Sequence, residues 1–304
     1  MTVDSLVISK KKDKLVEYKN GNTTVTIYKD GTKVREFEGI PVVEHPESMD
    51  IKITNYCDLG CPYCHENSTI KGKHSDLFLL KEKLDILPAG IELALGGGNP
   101  LSHPNLVQFL EWCKTKGFIA NITINEKHIN KYNELIIDLI TRDLVKGIGI
   151  SVTEGNINLI KSLYKLSSNI VLHLIVGINT IEQIEELCTI KGIKVLLLGY
   201  KTFGRGISYY SQDITDNINK WYKHLPTLVG KLVLSFDNLA IEQLNVKRLF
   251  TSKGWDRFYM GDDFTFTMYI DAVEQQYAPT SRSDDRQSFK DYNVIQYFKT
   301  FKNK

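Results

Sequence analysis

Between residues 49 and 198 the sequence alternates short apolar runs with amphipathic stretches, and few architectures accept that pattern. The apolar runs fall at 50–54, 91–95, 119–124, 147–152, 170–176 and 193–198. The stretches between them, 76–87, 104–116, 129–141, 156–166 and 181–189, carry helical patterns of apolar residues. Strands that alternate with helices require right-handed crossovers and a parallel sheet. Six such units form either an open doubly wound sheet or a partial barrel. In both, a ligand binds at the carboxyl ends of the strands, on the loops that follow them.

The flanks read differently. Short strands at 6–8 and 15–18 precede an alternating run at 24–28, a turn at Asp30-Gly31 and a return at 34–37, which together predict a β-hairpin. The lysine cluster at 10–14 reads as a solvated turn rather than a binding patch. After Gly206 the alternation loosens. A helix near 214–229, a strand at 232–236, a helix near 239–249, a strand at 264–270 and a helical tail from 287 are the expected elements.

Composition narrows the function classes. With 42% hydrophobic and 24% charged residues, the 304-residue chain has the make-up of a soluble globular protein that buries a sizeable core. Its net charge of +2 gives no basis for nucleic-acid binding. Asp4 and the lysines that follow interrupt any secretory signal, and the longest apolar run, at 170–178, is broken by His173 and Gly177. The expectation is a cytoplasmic protein without a membrane span. Its five cysteines then read as ligands, nucleophiles or core filler before disulfides.

Cys57, Cys61 and Cys64 share one short loop directly after the first core strand. Such a loop can bring three thiolates to three corners of an iron–sulfur cubane and leave the fourth iron open to another ligand. Rival readings use the same residues. Cys61-Pro62-Tyr63-Cys64 alone is a redox dithiol pattern, although that pattern has no need of Cys57. Cys61 to His65 matches a c-type haem attachment pattern, and zinc could be held by the cysteines with His65 or His74. A non-enzymatic metal-binding or redox-sensing protein is the alternative function built on these thiols. Cys113 and Cys188 sit in helical apolar stripes and read as small core residues, as does His173 in its strand. His103-Pro104 reads as a helix start with Pro104 in the first turn.

The spacing of Cys57, Cys61 and Cys64 resembles the signature of radical S-adenosylmethionine (SAM) enzymes. Thr54-Asn55, Leu59 and Tyr63 around those cysteines look like that family. Gly97-Gly98-Asn99-Pro100 follows the second strand, where the family carries Gly-Gly-Glu-Pro. The resemblance covers roughly residues 49–206. It implies an α/β fold with a partial (β/α)6 TIM-type barrel. The expected organisation is a β-rich appendage at 1–45, the barrel at 46–210, and an α+β extension at 211–304 that completes or caps it. The resemblance also implies a 4Fe–4S cluster on the three cysteines, SAM on the unique iron, and an electron donor of the flavodoxin or ferredoxin type. SAM would be cleaved to a 5′-deoxyadenosyl radical that abstracts hydrogen from a small molecule, nucleotide or peptide. Carried over to this chain, Tyr63 would pack near the adenine, and Gly97 and Gly98 would admit the methionine amino group. Asn99 replaces the usual Glu and brings no charge. Asn125, Ser151, Gly177 and Leu198, at successive strand ends, are the remaining candidates for SAM contact. Lys201 and Arg205 are candidates for a carboxylate or phosphate. Candidate substrate-facing groups are His65, Glu66, Asp262, Asp263, Asp271 and the polar run 281–286.

Overall fold

The computed structural model describes residues 13–167 and 169–302; the strand expected at 6–8 lies outside them. Three strands, β1 (Lys14–Asn20), β2 (Thr23–Tyr28) and β3 (Lys33–Glu36), form a small antiparallel sheet in chain order. The turn at Asp30-Gly31 joins β2 to β3 as predicted. Val25 and Ile27 are buried with Ile119, which docks this sheet on the main one.

The main sheet is mixed α/β architecture built on parallel pairing. β4 (Ser48–Thr54), β5 (Glu92–Gly97), β6 (Ile119–Asn125), β7 (Gly147–Ser151), β8 (Ile170–Ile175) and β9 (Lys194–Leu198) lie side by side in chain order, each parallel to the next. β10 (Val233–Phe236) extends the parallel array beyond β9. β11 (Thr267–Asp271) crosses back to pair in parallel with β4, on the opposite side from β5. The short β12 (Gln276–Ala278) and β13 (Gln287–Ser288) add antiparallel pairs at that edge.

The helices α1 (Leu77–Leu84), α2 (Leu106–Lys116), α3 (Asn133–Thr141), α4 (Ile157–Leu166) and α5 (Ile181–Leu187) supply the crossovers. Asp76 caps α1, Asn156 caps α4, and Thr180 forms a capping box with Gln183 on α5. Their apolar stripes join one core with alternate strand residues such as Ile122, Ile124, Leu172 and Leu174. The other set on those strands, Asn121, Thr123, Asn125 and His173 among them, stays half-buried on the opposite face. That face is largely polar, and it carries the candidate site.

Several boundaries depart from expectation for local reasons. The third helix begins at Asn133 because residues 126–128 form a 3-10 turn capped by the Asn125 side chain. The second begins at Leu106, after Pro104, because His103 ends a separate 3-10 turn at Pro100–Ser102. The helix expected near 239–249 breaks into α8 (Asn238–Gln243) and a 3-10 turn at Val246–Leu249, with left-handed Asn245 between them. Short α6 (Arg205–Tyr209) and α9 (Ser252–Phe258) were not anticipated, while α7 (Gln212–Leu228) matches the helix expected near 214–229. The tail is a strand at β13 before it becomes α10 (Val294–Lys302).

Candidate functional site

The cysteine loop leaves β4 at Thr54 and is clamped on two sides. From β5, the Gly98 amide donates to the Thr54 carbonyl at 2.7 Å and the Asn99 amide to the Tyr56 carbonyl at 2.6 Å. A Cβ at Gly98 would stand 2.1 Å from the Tyr56 oxygen, and one at Gly97 (φ +108°) 2.4 Å from the Thr54 oxygen. Glycine is therefore required here by the close approach of the chain's own backbone. From the far side, Arg205 donates its backbone amide to the Cys64 carbonyl (3.1 Å), Nε to the Cys61 carbonyl (2.9 Å) and Nη2 to the Ser68 carbonyl (3.0 Å). Arg205, read from sequence as a candidate substrate cation, is spent on holding the loop.

Cys57, Cys61 and Cys64 are free and half-buried on this clamped loop. Burial pushes the Cys57 thiol up, and the sulfurs of Cys61 and Cys64 push it the same way; Cys61 is raised by burial and then by Cys64. Thiols that disfavour one another's charge are converted to thiolates by a shared cation, so this donor set fits an iron–sulfur cluster. Cys113 is fully buried with its thiol pushed up to about 12 by burial, and Cys188 caps the end of α5, half-buried against the core.

Sequence reasoning missed His128. Its Nε2 donates to Asp58 Oδ1 at 2.7 Å, while Lys131 donates to Asp58 Oδ2 at 2.8 Å. The Lys131 bond, opposed by burial and helped by His128, holds the Asp58 carboxyl at about 2. Cys57, Asp58 and His128 each offer a ligand atom within 4.8 Å of the others. Nothing local in the sequence links residue 58 to residue 128.

The expected SAM-contact residues fall at the carboxyl edge of the sheet. Gly97 pairs with Thr54, and Asn125, Ser151 and His173 occupy one register row across β6, β7 and β8. The Leu198 carbonyl accepts from Val176, the residue before Gly177. The Tyr63 ring lies 5.8 Å from that of Tyr209, and Tyr209 and Gly177 line a cavity of about 560 Å³. Two positions stand apart. Asn99 is 0% exposed, with both side-chain polar atoms unpartnered among the described residues. The Asn125 oxygen accepts from the Lys127 amide as a cap, at 3.0 Å.

On the polar face, several candidate substrate groups meet in one chain of contacts. Lys52 on β4 donates to Asp271 on β11 at 2.9 Å and pairs with Glu66 at 3.1 Å. Glu66 also accepts from the Tyr269 hydroxyl (3.1 Å) and lies 3.4 Å from His65 Nε2. Lys201 Nζ sits 3.3 Å from His65 Nε2 and donates to Ser281 Oγ at 3.2 Å. Burial, followed by the Lys201 charge, pushes His65 down, against the pull of Glu66. Asp262 and Asp263 lie outside this chain, with Tyr259 bonding the first and Arg282 the second.

Residues 51–190 match the model of the Radical SAM superfamily. Over those residues the chain is similar to the radical SAM superfamily. The superfamily uses a 4Fe–4S cluster and SAM. The chain is 33% identical to a GTP 3′,8-cyclase of Alkaliphilus oremlandii over 87 residues, 27% of each protein. It is 30% identical to an uncharacterized protein of Methanocaldococcus jannaschii over 137 residues, 41% of this chain and 44% of the other. The chain thus matches less than half the length of these curated relatives. Among solved structures, SuiB of Streptococcus suis superposes with a TM-score of 0.59 at 13% identity, over 95% of this chain and 87% of SuiB. At that identity the likeness is one of fold. No helix among the described residues is long and apolar enough to cross a membrane.

Proposed function

We propose that this protein is a radical SAM enzyme whose Cys57, Cys61 and Cys64 hold the 4Fe–4S cluster. The observation that carries the reading is the clamped loop: three free, half-buried thiols held between the Gly97–Gly98 turn and Arg205. When bound, the cluster and SAM supply reductive cleavage to a 5′-deoxyadenosyl radical that abstracts hydrogen from substrate. The chain's own part is to position and shield. Gly98 and Asn99 lend their amides to the loop, and Arg205 puts a positive charge beside Cys61. Tyr63 and Tyr209, beside Gly177, offer aromatic surface to the adenine, and Asn125, Ser151 and Leu198 line the strand ends next to it. Residues 46–210 are read as the partial barrel, 1–45 as its appendage, and 211–304 as the extension that completes or caps the barrel. The electron donor would be of the flavodoxin or ferredoxin type, in the reducing cytoplasm. A nucleotide or a peptide substrate is in keeping with the similar proteins, since one is a GTP cyclase and SuiB is known bound to the precursor peptide SuiA.

The Cys57, Asp58 and His128 group favours a second reading, a single metal ion in a non-enzymatic protein. Anaerobic reconstitution separates the two. The enzyme reading requires iron with acid-labile sulfide, and 5′-deoxyadenosine from SAM under a low-potential reductant. Zinc without iron, or an intact cluster that yields no 5′-deoxyadenosine, overturns it.

A further inference from the structure

A cavity of about 310 Å³ opens beyond the end of β9, lined by Lys201, Thr202, Tyr210, Thr215, Gln243 and Arg282 among others. Among the described residues no carboxylate lines it. Gln243 pins the wall by exchanging two hydrogen bonds of 2.9 Å with the Tyr200 backbone, so the strand end that carries Lys201 is held firmly.

Lys201 is the unusual member. It is half-buried, and its ammonium contacts the His65 ring and the Ser281 hydroxyl, with no ion pair among the described residues. The nearby acids are committed or set apart. Asp263 pairs with Arg282 at 2.7 Å. Asp237 accepts from the Gly199 amide (2.9 Å) and the Ala240 amide (2.7 Å). Asp50 on β4 feels the Lys201 charge, with no bond between them among the described residues. A half-buried cation with no ion pair gains most from an anion, since charge-assisted bonds are the strong ones.

We propose that this cavity is the subsite for an anionic, oxygen-rich group of the substrate, a phosphate or a carboxylate, held by Lys201 with the neighbouring hydroxyls and Gln243. This rests on the proposed radical SAM function and deepens it. Lys201 touches His65, the residue after Cys64, so an anion held there places the rest of the substrate over the cysteine loop. Arg282 is the second cation, available once it exchanges Asp263 for the ligand.

The test uses the full-length, anaerobically reconstituted protein and two probes, inorganic pyrophosphate and glutarate, with binding read by calorimetry. Saturable binding of pyrophosphate alone supports a phosphate-bearing substrate, and of glutarate alone a carboxylate-bearing one; binding of both supports the anion site without choosing. Lys201→Met should weaken the bound probe about tenfold or more, with Lys201→Arg retaining most of the affinity and serving as the folded control. Arg282→Gln should weaken it less. No saturable binding to the wild type, or affinity unchanged in Lys201→Met, overturns the subsite. Formation of 5′-deoxyadenosine by the same wild-type preparation is measured alongside. Its absence counts against the enzyme reading and not against the anion site, because calorimetry needs no turnover.

Discussion

Two cations that stand four residues apart, Lys201 and Arg205, have opposite fates. The planar guanidinium of Arg205 reaches the Cys61 and Ser68 carbonyls together, which an ammonium cannot do from one position. Bonds from a charged donor contribute about 1.5–3 kcal/mol each, so Arg205→Met should loosen the loop more than any surface substitution. The expected outcome is a chain that folds but retains less iron after reconstitution, with Arg205→Lys in between; equal iron in all three would remove the bracing role. Gly98 makes the complementary case. Its added Cβ in Gly98→Ala would collide with the Tyr56 backbone, which has no flexible end to yield. That variant should lower both iron content and melting temperature, read by iron assay and thermal circular dichroism. The glycines were visible in the sequence, but not what they approach. The cysteine spacing was legible because all three cysteines lie in one local loop. His128 and Lys52 were not, since their partners Asp58 and Asp271 lie far along the chain.

At the scale of elements, alternation of strand and helix was readable because each crossover buries a local apolar stripe. What it could not show is how the polar face is packed. Gly149 on β7 faces His173 on β8, and a Cβ there would come within 2.3 Å of the ring. The glycine thus leaves room for the neighbouring imidazole. Gly149→Ala should cost about 1–3 kcal/mol through overpacking. Adding His173→Ala should recover part of that loss, and a double-mutant cycle in urea reads the coupling. Strict additivity would show that the two residues do not compete for space. The same packing sets a pH dependence. Burial pushes His173 down to about 4 from an ordinary 6.5. Between those values the unfolded chain binds the proton and the folded one does not, so stability falls as pH drops from about 6.5 toward 4. His173→Gln should flatten that part of the profile, measured as urea midpoints at pH 7 and pH 5.

The whole molecule depends on a closure that no local pattern encodes. β11 returns across more than two hundred residues to lie beside β4, and Lys52 marks the contact by pairing at once with Asp271 on β11 and Glu66 on the cysteine loop. A strand at 264–270 was expected, yet its register with residues 48–52 has no signal in sequence, because parallel pairing is set by the tertiary fold. Lys52 is held in its charged form against burial by those two carboxylates. Removing it leaves two buried anions without their shared cation, a loss that typically costs 3–5 kcal/mol. Tyr269 still serves Glu66, and Arg286 still reaches Asp271 at 3.4 Å, which moves the expectation for Lys52→Met to the lower end, about 3 kcal/mol. Lys52→Met combined with Glu66→Gln and Asp271→Asn should regain stability, since neutral groups tolerate the lost cation. The urea midpoint checks both. A single variant as stable as the wild type, or a triple variant worse than the single, would mean that apolar packing of Ile51 and Ile270 alone holds β11 to the core.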